Sequence, residues 1–198
     1  MSVSRETEER LSTYIEMLKD WQTRMNLVAP STLSDARTRH IDDSLQLIEG
    51  LPPNQPVETW VDLGSGAGFP GLVAAICLPG THVQLIESRE KKCTFLRAVS
   101  DAVGVADRVT VHSARIESLN GPKADIISAR ACASLAKLFD WGLRFQSHST
   151  LWILPKGRRA QSEIDEAKER FSFDLNILPS RTDPEGQILM VRTVKRLR

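Results

Sequence analysis

The sequence is poor in cysteine, in net charge and in long apolar runs, and each shortage removes a class of protein. Three cysteines, Cys77, Cys93 and Cys132, are spread over 198 residues without a CxxC pair, so neither a disulfide framework nor a metal site is expected. Apolar neighbours make Cys132 read as a small buried thiol. The 26 Lys and Arg nearly cancel the 25 Asp and Glu, leaving a net charge of +1, so bulk charge does not mark a polyanion binder. No run reaches membrane-spanning length, and the opening Arg5, Glu6, Glu8, Glu9 and Arg10 are too polar for a signal peptide. A protein of the reducing cytoplasm is expected. With 41% hydrophobic and 26% charged residues, the composition is that of a globular chain of one domain over residues 1–198, with residues 1–50 as a helical extension packed on it.

Leu11, Ile15, Leu18, Trp21 and Met25 recur at helical spacing, which predicts an amphipathic helix over residues 6–24 whose role is packing. A second helix is expected over 38–49, stopped by Gly50 and the Pro52-Pro53 break. Short apolar runs then alternate with helical segments, the pattern of βαβ units. Strands are expected over 57–63, 82–87, 108–112, 124–128, 150–154, 174–179 and 188–194, with helices over 70–77, 90–103, 135–145 and 160–170. The polar turn at 181–186 leaves no room for a last helix, so the final two strands should form an antiparallel hairpin. The fold class is α/β: a Rossmann-like, seven-stranded, mainly parallel sheet with an antiparallel final hairpin and two N-terminal helices.

The most specific string is Asp62-Leu63-Gly64-Ser65-Gly66-Ala67-Gly68-Phe69-Pro70-Gly71, placed between a strand and a helix. Its glycines allow a tight turn and close approach of a ligand to the backbone. Residues 66–71 also satisfy GxGxxG, so a nicotinamide or flavin dinucleotide is a rival ligand. Asp62 discriminates: a carboxylate at the strand tip repels a pyrophosphate but attracts the ammonium of a methionine moiety, directly or through water. Glu87 ends the second strand, where an acid can accept ribose hydroxyls. Together these favour S-adenosylmethionine, and hence S-adenosylhomocysteine as product.

Five strings in order carry a family resemblance: Asn26-Leu27-Val28, Arg39-His40-Ile41-Asp42-Asp43-Ser44-Leu45, the glycine string, Glu87-Ser88 with Lys91-Lys92 and Phe95-Leu96-Arg97, and Ile127-Ser128-Ala129-Arg130-Ala131. With them the chain resembles the bacterial ribosomal RNA small-subunit methyltransferase G family, also called glucose-inhibited division protein B. The resemblance implies methyl transfer to N7 of one guanine in 16S ribosomal RNA, and cofactor contacts at Gly64, Phe69, Ile116, Glu117 and Arg130. Asp62, Gly66 and Glu87 join them from the reading of the loop.

Guanine N7 carries a lone pair at neutral pH and needs no general base, so no catalytic residue is assigned. Positioning and desolvation suffice. Amino-group methylation usually shows Asn or Asp before Pro-Pro and an aromatic after the fourth strand, whereas here Ser128-Ala129-Arg130-Ala131 follows. A phosphate-binding rim is expected from Lys91, Lys92, Lys156, Arg158 and Arg159, with Arg39 and His40 near the cofactor mouth. The partner would be 16S ribosomal RNA or a small-subunit assembly intermediate, met by a monomer with no membrane contact. The alternatives are a methyltransferase acting on another RNA site, a small molecule or a protein, and a non-enzymatic cofactor-binding module of ribosome assembly.

Overall fold

The computed structural model describes residues 3–53 and 56–197. Seven strands form one sheet: β1 (Thr59–Leu63), β2 (His82–Glu87), β3 (Val109–Ser113), β4 (Ala124–Ser128), β5 (Gln146–Lys156), β6 (Phe171–Pro179) and β7 (Gln187–Arg196). They lie in the order β3-β2-β1-β4-β5-β7-β6. The first five are parallel, whereas β7 runs antiparallel to both β5 and β6. The expected hairpin is therefore present, with β6 as the outer strand.

Four consecutive residues of β1, Trp60 to Leu63, are buried, as a central parallel strand covered on both faces requires. Alternation divides its side chains between two cores. Trp60 joins Val83, Leu85, Ile126, Leu151 and Ile153 beneath α1 (Arg5–Gln22), α2 (Asp43–Glu49), α3 (Gly71–Cys77) and α4 (Glu90–Ala102). Val61 and Leu63 join Ile86, Ile127, Trp152 and Leu154 beneath α5 (Leu135–Gly142) and α6 (Ala160–Lys168). The N-terminal helix shares the first of these cores. Its N-cap Ser4 accepts the Thr7 amide at 3.1 Å, and Leu11, Tyr14 and Leu18 form its buried stripe.

Strand β6 begins at Phe171, three residues before the expected 174, and the helix expected over 135–145 ends at Gly142 in a 3-10 turn; two other departures bear on the site. The helix expected over 38–49 opens as a π-helical turn, Arg37–Asp42, and becomes α-helical only from Asp43. That widened turn gives the backbone of Arg39 and His40 a register of its own, a form of irregularity that clusters at functional sites. Strand β5 starts four residues before the expected 150, at Gln146. The polar run Gln146-Ser147-His148-Ser149 hides it because its pairing with β4 shifts register between Ala124 and Ile126 and leaves His148 and Ser149 exposed. No helix among the described residues is long and apolar enough to cross a membrane.

Candidate active site

Strand order reverses at β1, whose successor β2 lies on one side and β4 on the other, and the gap beyond their carboxyl ends is where open α/β sheets bind ligands. A cleft of about 1540 Å³ opens there. The β1–α3 bend forms its floor. Gly64, Gly66 and Gly68 have φ of +68°, +58° and +95°, a region that L-residues with a Cβ rarely enter. Gly64 is also sterically required, because a Cβ there would lie 2.3 Å from Cys132 Sγ. The turn closes through Gly68 N donating to Ser65 O at 2.7 Å.

Glu87 is tied to this bend. Its Oε2 accepts the Gly66 amide at 3.0 Å and its Oε1 the Arg89 amide at 2.8 Å, so the carboxylate is held at the cleft wall with lone pairs left for a diol. Asp62 lies behind the wall rather than on it. It is fully buried; Oδ1 accepts from Ser128 Oγ at 2.6 Å, while Oδ2 has no hydrogen-bond partner. Burial raises its pKa to about 6, opposed by the Ser128 hydroxyl, the nearby Ser65 hydroxyl, the Arg130 charge and the Gly71 amide; Ser65 Oγ itself donates to the Asp62 main-chain carbonyl at 3.0 Å. A buried carboxylate oxygen with no donor fits a cationic ligand group, and a positive-φ glycine bend fits a ligand seated close to backbone. The bend suits either ligand, so the carboxylate decides: it agrees with S-adenosylmethionine and not with a diphosphate.

Phe69 is the centre of a stack. Tyr14 lies parallel to it at 4.9 Å and His40 at 5.0 Å between centroids, and the Arg130 guanidinium carbon is 5.0 Å from its ring centre. Tyr14 also donates its hydroxyl to Ala67 O at 2.5 Å, so the first helix holds the glycine bend. Arg130 donates to Arg39 O at 3.1 Å, to Asp43 Oδ2 at 3.2 Å and to His40 Nδ1 at 3.1 Å. That last bond requires an unprotonated Nδ1, leaving Nε2–H to face Thr32 Oγ1 at 2.9 Å. Burial, and next the Arg130 charge, lower the His40 pKa to about 4. Asp43 in turn accepts from Gln46 at 2.9 Å and from Thr182 at 2.7 Å, joining α2 to the β6–β7 turn. Directly after Arg130, Ala131 sits at φ +51°, a conformation costly for a residue with a side chain.

Ile116 and Glu117 form a short turn on the cleft wall, Ile116 buried and Glu117 exposed. Arg144 anchors the turn by donating to Glu117 O at 2.6 Å. The cationic residues separate. Lys92, Arg158 and Arg159 line the cleft, whereas Lys91 is exposed outside it. Lys156 lines it too, but as a largely buried partner: its ammonium donates to Glu163 at 2.8 Å and to Ala133 O at 2.7 Å. Its charge is compensated within the protein, which corrects its placement among free rim cations. Cys132 is a second correction, because it is exposed on the cleft wall rather than buried. Desolvation, with Asp62 and Glu87 nearby, raises its thiol pKa to about 11, so little thiolate exists near neutrality.

Sequence reasoning did not single out Tyr14, Trp60 or the turn at 180–187. Their hydrogen bonds to the site all cross more than fifty residues, and for Trp60 the one local signal was its place two residues before Asp62 in an alternating strand. Among the described residues no group of His, Cys, Asp and Glu could hold a metal ion.

The sheet order and the glycine bend define a Rossmann-like fold of the S-adenosylmethionine methyltransferase class. Solved structures agree at the level of fold: a mutant of MtNAS in complex with S-adenosylmethionine (TM-score 0.63, 18% identity, 96% of this chain and 72% of that one) and an O-methyltransferase from Bacillus cereus in complex with SAH (TM-score 0.60, 18% identity, 98% and 93%). The family model for rRNA small subunit methyltransferase G matches residues 7–185, and the chain belongs to that family. It is 44% identical over 193 residues to a protein of that name from Rhizorhabdus wittichii, covering 98% of this chain and 88% of the relative. It is 43% identical over 196 residues to one from Gluconobacter oxydans, covering 99% and 98%.

Proposed function

We propose that this protein transfers a methyl group from S-adenosylmethionine to N7 of a guanine in 16S ribosomal RNA, acting in the cytoplasm as a monomer on the RNA or on a small-subunit assembly intermediate. The observation that carries the reading is the pairing of a buried carboxylate, Asp62, whose Oδ2 makes no hydrogen bond, with a glycine bend whose Gly66 amide is locked to Glu87. Family membership supplies the RNA substrate.

In this reading Asp62 attracts the ammonium of the cofactor from behind the glycine bend, Gly64 and Gly66 let the backbone approach it, and Glu87 accepts its ribose hydroxyls. Phe69, Ile116, Glu117 and Arg130 complete the seat. The bound cofactor supplies an electrophilic methyl group on a sulfonium centre. The guanine N7 lone pair needs no proton removed, so the residues act by holding, desolvating and charge compensation. Glu117 and Asp43 on the cleft wall oppose the positive charge that appears on the methylated base. Lys91, Lys92, Arg158 and Arg159, with Arg39, hold phosphates around the mouth, while His40 and Lys156 serve by fixing Arg130 and the β5 exit.

Incubation with methyl-labelled S-adenosylmethionine and unmethylated small-subunit RNA or particles should place label on N7 of a single guanine. Label on an exocyclic amine, on protein or on no ribosomal component would refute the reading.

A further inference from the structure

Asp62, Ser128 and Trp60 are each completely shielded from solvent, and they are neighbours by register. In the parallel pairing of β1 with β4, Asp62 lies opposite Ser128 and Trp60 opposite Ile126, so all three side chains emerge on the α3 face of the sheet. Trp60 Nε1 donates to Ser128 Oγ at 2.7 Å, and Ser128 Oγ donates to Asp62 Oδ1 at 2.6 Å.

The direction of this chain follows from chemistry. An indole nitrogen is only a donor, and a serine hydroxyl carries a single proton. With a Ser128 lone pair occupied by Trp60, that proton goes to the carboxylate. Asp62 is thereby fixed with Oδ1 satisfied and Oδ2, beside the Gly71 backbone, without a well-formed hydrogen bond. Gly71 makes room for it, since a Cβ at that position would sit 3.1 Å from Oδ2 and 2.4 Å from a Leu85 methyl.

We infer that Trp60 and Ser128 are positioning residues for the cofactor's amino-acid end, acting as a one-way hydrogen-bond relay that fixes the Asp62 carboxylate behind the glycine bend, where its charge attracts the ammonium group. The inference rests on the proposed role of Asp62. The relay also opposes the desolvation that raises the Asp62 pKa, Ser128 being the foremost of the groups that lower it. Losing the hydroxyl therefore removes orientation and favours the protonated, uncharged acid.

The test compares two ligands in one calorimetric titration series: S-adenosylhomocysteine, which carries the ammonium, and 5′-methylthioadenosine, which lacks the amino-acid end. Ser128→Ala should weaken the first by roughly ten-fold and leave the second within about two-fold. Ser128→Thr should retain wild-type discrimination. Ser128→Cys, nearly isosteric and a poorer donor, should show the same selective loss in smaller degree, and it replaces the alanine variant should that one fail to fold. In wild type, S-adenosylhomocysteine affinity should fall as pH drops through about 6, and the inflection should move upward in Ser128→Ala. Equal weakening of both ligands, or wild-type discrimination in Ser128→Ala and Ser128→Cys, would overturn the relay. Unchanged discrimination in Asp62→Asn would overturn the role of Asp62 beneath it.

Discussion

The two sides of the cleft are made by different means. On the β1–β2 side the working parts are backbone: three left-handed glycines and two amides that clamp Glu87. On the β4–β5 side they are side chains, Arg130 held by His40, Arg39 and Asp43, and Lys156 held by Glu163 and Ala133. The first side is short-range in sequence and has one solution; the second draws on segments up to 91 residues apart and depends on every partner. In the proposed reading the cofactor rests mainly on the backbone-built side and reaches Arg130 on the other, whose remaining surface faces the space left for a substrate.

Substitutions should separate the two sides. Gly64→Ala should have the largest effect, because it forces a side chain into a left-handed φ and against Cys132. About 3 kcal/mol of strain and overlap corresponds to a loss of roughly 100-fold in S-adenosylhomocysteine affinity by calorimetry. An affinity within a few-fold of wild type would mean that the bend is not rigid. Asp43→Ala comes next. Both Asp43 and Arg130 are under one-fifth exposed, so freeing the guanidinium and the Thr182 hydroxyl should cost about 2 kcal/mol in urea unfolding, with methyl transfer falling more than cofactor affinity.

His40 gives a pH signature. Its folded pKa is depressed to about 4 from a usual 6.5, so the unfolded chain binds the extra proton first. Stability contributed by neutral His40 is complete above pH 6.5 and is lost as pH falls toward 4, by about 1 kcal/mol over roughly the first pH unit below the unfolded value. A His40→Gln variant should lose that slope in urea titrations repeated across pH; a slope identical to wild type would remove His40 as its source.

The smallest effects belong to the rim. Arg158 is highly exposed and, among the described residues, pairs with the half-exposed Glu185, so Arg158→Ala, like Arg159→Ala, should leave stability within about 0.5 kcal/mol. Each should lower the salt dependence of RNA binding by about one counterion. Lys156→Gln should do the reverse, costing stability through the stranded Glu163 while sparing the salt slope. Identical behaviour of Lys156 and Arg158 would erase the distinction between compensated and free cations.

Legibility in the sequence follows the same division. The glycine bend and Glu87 were readable because conformation and chemistry lie within a short string at the end of a strand. The parallel sheet was readable from the spacing of apolar runs, and the final hairpin from a turn too short for a helix. Arg130 was readable only as a residue beyond β4, since nothing local announces that a π-helical turn 91 residues earlier supplies its acceptors. Lys156 and Cys132 were misplaced for one reason: burial at a cleft is decided by which loops fold over a residue, and Glu163 and Gly64 are the neighbours that decide it.

Tyr14 belongs to the first helix, yet its hydroxyl ends on Ala67, 53 residues later. That helix leaves the ribosome as a clasp for a bend not yet made, and the cofactor's berth stays unfinished until the two meet. Deleting the clasp should show itself as a leaky berth before it shows as an unfolded protein.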